Sequence, residues 1–252
     1  MSQRLPPAAL ALLTGAVFTG ALEGLLRLGW LNAFIIPLPS ALPAALWRII
    51  EEEEVLWRFL QTGLEALGAS AALAIVGVSI GALLAHFITL RRATETWVAA
   101  LGAAPIVLAY PLFLVIFGRS ISTIMVMGFA AGLAPVILKT VEGLTNVRPV
   151  LHKVARSYNL SPRDEFLKVT LPAALPVIFT GLRLGIIFAL INIVGVEFLI
   201  NFGGLGQLIN ELAERYDLPG TYAAILFVIL VSVCVFAALE RVERWLRPVE
   251  VR

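Results

Sequence analysis

The sequence predicts an all-α integral membrane protein of about six transmembrane helices, with both termini on the cytoplasmic side. Three observations carry that prediction. The 252 residues are 60% hydrophobic and only 14% charged, whereas a soluble domain is about half apolar and a quarter charged. The apolar residues gather into uncharged stretches near the roughly 20 residues a helix needs to cross hydrocarbon. The basic residues, finally, crowd the connections on one side of those stretches.

The first stretch, residues 5–22, follows a single basic residue, Arg4. It is long for a signal-peptide core and no small-x-small cleavage site follows, so it is read as a retained first helix. Residues 28–47 are uncharged too, but Pro37, Pro39 and Pro43 break any helix there. The reading is an extended loop, then a short amphipathic helix over "SALPAALWRII" lying on the membrane surface. The Glu51–Glu54 run after it reads as a solvated helix start. Further crossings are expected at 66–90, 96–118, 120–138, 169–200 and 218–239. Nothing alternates with the ten-residue rhythm of a β-barrel.

Orientation follows from Lys and Arg. The termini's side collects Arg4, Arg91, Arg92, Lys139, Arg148, Lys153, Arg156, Arg163, Lys168, Arg247 and Arg252 among others. The other side holds Arg27, Arg48, Arg58, Arg119 and Arg215. The net charge of +2 gives no argument for a nucleic-acid partner. A single cysteine, Cys234, rules out an intrachain disulfide framework or a cysteine-rich metal site, and His86 and His152 are too far apart in sequence to suggest a metal site. No Ser/His/Asp or Cys/His set points to catalysis.

Charges inside membrane segments are functional candidates by default. Glu197, near the far end of the fifth crossing, is the foremost; an interfacial cap is the plainer reading. Glu65 and Glu23 are expected at the interface, and Arg183 is expected to snorkel. Pro105 and Pro111 flank Tyr110, and prolines within a membrane helix free carbonyls that are tolerated next to protein or a cavity. Tyr110 and Phe113 are therefore placed near a translocation path, with bundle packing as the alternative.

The polar island "KVARSYNLSPRDEFLKVTLPAALP", residues 153–176, lies on the cytoplasmic side. Apolar residues at 150, 151, 154, 155 and 158 have helical spacing. Asn159 suits a left-handed helix end. Ser161 is a good N-cap, Pro162 suits the first turn, and Asp164 and Glu165 suit the positive helix end. The segment reads as helix, sharp turn, helix, then a bend at Leu171–Pro172. It is either a loop packed on its own bundle or a docking element.

This segment resembles the cytoplasmic EAA loop of ABC importer permeases. Ala155 stands at the second alanine, Asn159 at the glycine, and Val169, Leu171 and Pro172 at the closing I-x-L-P. Lys153, Val154 and Asn159 depart from the pattern. "IIPLPSALPAAL", "APIVLAYPLFLVIFG", "FTGLRLGIIFALINIVGVEFL" and "GGLGQLI" are similar to successive motifs of the nitrate/sulfonate/taurine branch. The resemblance implies one transmembrane permease domain over residues 1–252, with a core permease region at 59–245 and a coupling loop at 144–172. It implies a type I ABC importer permease fold in a bacterial inner membrane. Such a permease pairs with a second copy, two ATPase subunits and a periplasmic or lipid-anchored substrate-binding protein. The coupling residues would be Lys153, Val154, Ala155, Arg156, Tyr158, Asn159, Leu160, Leu171 and Pro172. The chain has no G-x-x-x-x-G-K-[ST] phosphate loop, so no cofactor is expected here; ATP and Mg would sit on the partner ATPase. The expected solute is small and polar or anionic. The alternatives are a small heterocycle such as a thiamine-pyrimidine precursor or, in another class, a secondary carrier.

Overall fold

A computed structural model describes residues 7–246, with the side chains of Pro7, Ala8 and Leu12 left aside. Arg4, Arg247 and Arg252, counted above for the termini's side, lie outside the described residues. Every regular element among those residues is helical. The helices are α1 (Pro7–Arg27), α2 (Leu42–Glu52), α3 (Val55–His86), α4 (Ile88–Ala103), α5 (Tyr110–Phe117), α6 (Ile121–Thr145), α7 (Pro149–Ser157), α8 (Pro162–Ile200), α9 (Gly204–Glu214) and α10 (Leu218–Leu246). Five are long and apolar enough to cross a bilayer, six if α4 and the residues around α5 count as one bent span.

Three expected boundaries are corrected. The second crossing begins at Val55, not residue 66. Arg58 and Glu65 interrupt the apolar stretch, but neither ends the helix: Arg58 pairs with Glu211 at 2.8 Å, and Glu65 is buried. The third crossing is no single rod. α4 ends at Ala103 and the chain turns by 86° before Ile106–Phe117. The cause is Pro105, whose ring drives the preceding residue out of the helical region; Ala104 is accordingly extended at φ −74°, ψ 132°. The bend expected at Leu171–Pro172, in contrast, does not end the helix. Residues Phe166–Thr170 form a π-helical turn, and helix continues through Pro172 to Ile200. A π-turn shifts the bonding register by one residue, which accommodates a proline that cannot donate.

The amphipathic helix α2 does not simply lie on a lipid surface. Ala45 and Ile49 are buried in a cluster with Val55, Leu205, Leu208, Leu212, Ala223 and Ala224, so α2 packs against α3, α9 and α10. The Glu51–Glu54 run joins two helices, Glu51 and Glu52 closing α2 and Glu54 standing as the N-cap residue of α3. Glu53 pairs with Arg215 at 2.7 Å, and Glu54 turns the chain at φ +52°. Arg48 adds a bond to Asp217 at 2.5 Å.

The main apolar cluster joins α3, α6 and α8 through Leu73, Ile124, Met127, Val136, Ala189 and Ile193. Lipid tails are as apolar as these side chains, so helices in a bilayer associate by close packing. Small residues permit it here. A Cβ on Gly132 would stand 2.4 Å from the Gly185 carbonyl oxygen, and one on Gly185 would stand 2.8 Å from that of Gly132. The backbones of α6 and α8 thus touch where both residues lack side chains. α1, by contrast, exposes Leu13, Val17 and Phe18, as a lipid-facing helix does.

Gly132→Ala should lower stability by about 1–3 kcal/mol, the usual effect of overpacking a tight contact. Gly63→Ala, whose added Cβ meets nothing within 4 Å, should be neutral or slightly stabilising. Thermal unfolding of the two variants in detergent checks the contrast.

Candidate functional site

Two sites stand at opposite ends of the bundle. The first is built around Glu197, which is fully buried three residues before α8 ends at Ile200. After it, Gly203 and Gly204 both take positive φ, 73° each, and α9 starts. The first N–H groups of a helix have no partner within it. Here side chains supply one for each. The Gly203 N–H donates to Gln207 Oε1, and that of Gly204 to Gln61 Oε1 at 3.1 Å. Leu205 N–H donates to Thr62 Oγ1 at 2.9 Å, and Gly206 N–H to Glu197 Oε2 at 2.8 Å. The Thr62 hydroxyl in turn donates to Glu197 Oε1 at 2.7 Å.

Glu197 therefore caps α9 from α8 and ties both to α3. A carboxylate there also complements the positive end of the α9 dipole. The glycines follow from this arrangement. A Cβ on Gly204 would lie 2.0 Å from Glu197 Oε1, and one on Gly206 would lie 2.2 Å from the Val194 carbonyl oxygen. Glu65, expected at the interface, is instead only 4% exposed and lies against the Glu197 carboxyl. The reason is the earlier start of α3, which carries Glu65 about 15 Å along the helix at 1.5 Å per residue. Thr62 and Gln61 were not singled out from sequence. Thr62 and Glu65 are three apart and share a helix face, the one local signal available.

Tyr110 and Phe113 are half-buried and pack on the main apolar cluster. They are not brought to Glu197 by any hydrogen bond. Arg183 does not snorkel. It pairs with buried Glu243 at 2.7 Å, and its guanidinium lies 5.2 Å from the centre of the Phe236 ring. Thr180 donates to the same carboxylate at 2.9 Å. This pair ties α8 to α10. Glu23 accepts from Arg27, from the Ser40 hydroxyl and from the Ser40 N–H.

The second site is the polar island. α7 ends with Asn159 at φ +52°. The Asn159 N–H bonds Arg156 O at 3.0 Å and the Leu160 N–H bonds Ala155 O at 3.2 Å, the paired bonds of a Schellman cap. Ser161 then caps α8, its hydroxyl accepting from Asp164 N–H at 3.2 Å. His152 Nδ1 meets Glu165 Oε1 at 2.7 Å and clamps α7 to the start of α8. Sequence reading considered His152 only as a metal ligand and missed this clamp.

The apolar face of α7 divides in two. Ala155 is buried and Leu151 half-buried, while Val150, Val154 and Tyr158 stand exposed. Tyr158 is 76% exposed. Lys153 and Arg156 are exposed beside them. Leu160 and Leu171 are half-buried and Pro172 is exposed.

Replacing Thr62 by valine keeps the shape but strands the Leu205 N–H and one Glu197 oxygen. The loss should be about 1–3 kcal/mol, the cost of unsatisfied buried polar groups. Glu197→Ala should cost more, because it strips Gly206 as well. Detergent unfolding curves for the two, beside exposed Glu51→Gln as the unaffected reference, check the order.

The chain matches the family described as "Binding-protein-dependent transport system inner membrane component" over residues 74–248. It is 26% identical to the formylaminopyrimidine transport permease protein ThiX of Halalkalibacterium halodurans, over 84% of this chain and 85% of that one. It is 28% identical to a putative aliphatic sulfonates transport permease protein, SsuC, of Escherichia coli, over 87% and 84%. Its fold is that of a chain in the inward-facing MetNI methionine ABC transporter, with a TM-score of 0.64 and 18% identity over 84% of this chain and 99% of that one. With the family match spanning well over half its length and five or six apolar spans among the described residues, the chain belongs to the binding-protein-dependent transport inner-membrane components and is a multi-pass membrane protein of the type I permease fold.

Proposed function

We propose that this chain is the permease subunit of an ATP-driven importer in a bacterial inner membrane. Two copies would form the path, two ATPase chains would drive it, and an external binding protein would deliver a small polar solute. The work is alternating access, with no bond chemistry in this chain. One observation carries the reading: the capped and clamped α7–α8 hairpin holds an unpartnered apolar stripe, Val150, Val154 and Tyr158, out into solvent. A loop that packed only on its own bundle would turn that stripe inward. Family membership supports the same assignment, since relatives are named as transport permeases.

The surface of the hairpin is basic. Lys153, Arg156 and Arg163 are exposed and make no ion pair among the described residues. Lys153 stands where the resembling motif has glutamate, so the ATPase cleft that receives it is proposed to be acidic. This arrangement favours α7 as the docking helix, both termini on the ATPase side, and ATP and Mg on the partner. Tyr110, Phe113 and Glu197 are proposed to flank the path, Glu197 by holding α9 over its far end.

The test is copurification in mild detergent from the native cells expressing the tagged chain. The ATPase should elute in about equal amount. Val154→Asp should reduce that recovery about tenfold or more, as burial of an unpaired charge in an interface does. Lys153→Glu should weaken coupled ATPase activity. Absence of any ATPase with the wild-type chain would favour a secondary carrier instead. Unchanged activity in Lys153→Glu would discard the acidic cleft.

A further inference from the structure

Between α8 and α10 the surface of the bundle holds a groove of about 320 Å³. Ile186, Ile187 and Ile191 stand on one wall, and Val228, Val233 and Phe236 on the other. Along α10 it runs from Val228 to Phe236, about 12 Å at 1.5 Å per residue. That stretch belongs to a membrane span with no charge before Glu240, so the groove lies at hydrocarbon depth. Ile191, Val233 and Phe236 are exposed, and its mouth is open.

The walls select the kind of occupant. Among the described lining residues, Ser232 is the one polar side chain, and none is glycine or alanine. Ordered water needs two or more polar partners, which this lining does not supply. Helices that pack in a bilayer meet through small residues, as α6 and α8 do at Gly132 and Gly185. Branched and aromatic walls of this kind suit a flexible hydrocarbon chain instead.

The end of the groove nearer the C-terminus is charged. On α8, Arg183 sits one turn from Ile187 on the same face. It is paired with buried Glu243 and lies over the Phe236 ring, so it closes that end as a neutral pair. On α10, Arg244 follows Val233 by eleven residues, about three turns, which places it on the groove's face. It lies about 12 Å beyond Phe236 along the helix. Arg244 and Arg241 are exposed and make no ion pair among the described residues. Glu240 is half-buried in the same stretch, so two arginines stand there against one carboxylate. Trp245, 82% exposed, follows them, as tryptophan does at a membrane interface. Guanidinium groups at the interface, with an apolar groove leading from them into the hydrocarbon, match a phosphate and the chain it carries.

We propose that this groove is a phospholipid site, with one acyl chain lying between α8 and α10 and the phosphate met by Arg244 and Arg241. The site needs only the membrane-spanning fold and no partner subunit.

The experiment is lipid binding to the purified full-length chain, stripped of lipid in detergent and read by native mass spectrometry. Dioleoylphosphatidylglycerol should be retained at one molecule per chain. Dioleoylglycerol has the chains without the phosphate, and glycerol 3-phosphate has the phosphate without the chains; each should bind about tenfold more weakly or less. Ser232→Trp, which fills the groove, should weaken lipid binding about tenfold or more through lost burial of the chain. Arg244→Gln should weaken it about fivefold or more, the loss expected for one charge-assisted bond to phosphate. Arg244 is exposed, so this variant decides the question even if the filled one misfolds. Unfolding temperatures in lipid-free detergent equal to the wild-type value separate a binding defect from a folding one. Binding of dioleoylglycerol or of glycerol 3-phosphate as tight as that of the intact lipid overturns the proposal. So does lipid retention that neither variant weakens, or the absence of retained lipid. Loss of a dimer in Ser232→Trp, with lipid binding unchanged, assigns the groove to a second copy of the chain and overturns it as well. None of these outcomes depends on the ATPase, whose copurification tests the permease reading separately.

Discussion

The carboxylate of Glu197 is the constraint on which the far end of this protein depends. One side chain on α8 accepts from the first turn of α9 and from Thr62 on α3. Gly204, Leu205 and Gly206 are buried in the fold, where water does not satisfy an open helix start, so α9 needs these partners. Its glycines are the consequence: Gly204 and Gly206 leave no room for a side chain because Glu197 and its own backbone occupy it. The ion pairs Arg58–Glu211, Arg215–Glu53 and Arg48–Asp217 then brace the same end from outside.

α8 carries the constraint to the other end. It runs unbroken through helical residues from Pro162, in the hairpin, to Ile200 beside the Glu197 cap. At 1.5 Å per residue that is about 57 Å of helix. The hairpin is clamped to its first turn by His152 and Glu165. Along its middle the helix meets α6 backbone to backbone at Gly132 and Gly185, and its Arg183–Glu243 pair fastens it to α10. The hairpin and the Glu197 cap are thereby joined by one continuous helix. The π-turn at Phe166–Thr170 is the one irregularity in between, and such turns recur at functional positions.

The arrangement divides labour between exposed and buried polarity. On the hairpin, polar and apolar groups face solvent and are open to a partner chain. Around Glu197 they are buried and consumed within the fold, apart from the oxygens of Glu65 and Asn201. Burial explains the asymmetry, since an unsatisfied polar group costs far more inside the fold than at its surface.

By itself the sequence determined the all-helical membrane class, the number of apolar segments, and the detailed shape of the hairpin turn. Those features are local. Asn159, Ser161 and Pro162 act on their own backbone within a few residues, so a short window contains their physics. The break at Pro105 was legible as a proline but not as an 86° turn, because the angle depends on what α4 and α5 pack against. Only the tertiary structure decided the fates of Glu65, Arg58, Arg183 and Glu197. Each is a charge whose partner lies far away in the chain, Thr62 from Glu197 by 135 positions and Arg58 from Glu211 by 153. Hydropathy treats an unpaired charge as the end of a crossing. Pairing or burial against a distant residue is what let α3 start at Val55 and drew Glu65 into the bundle.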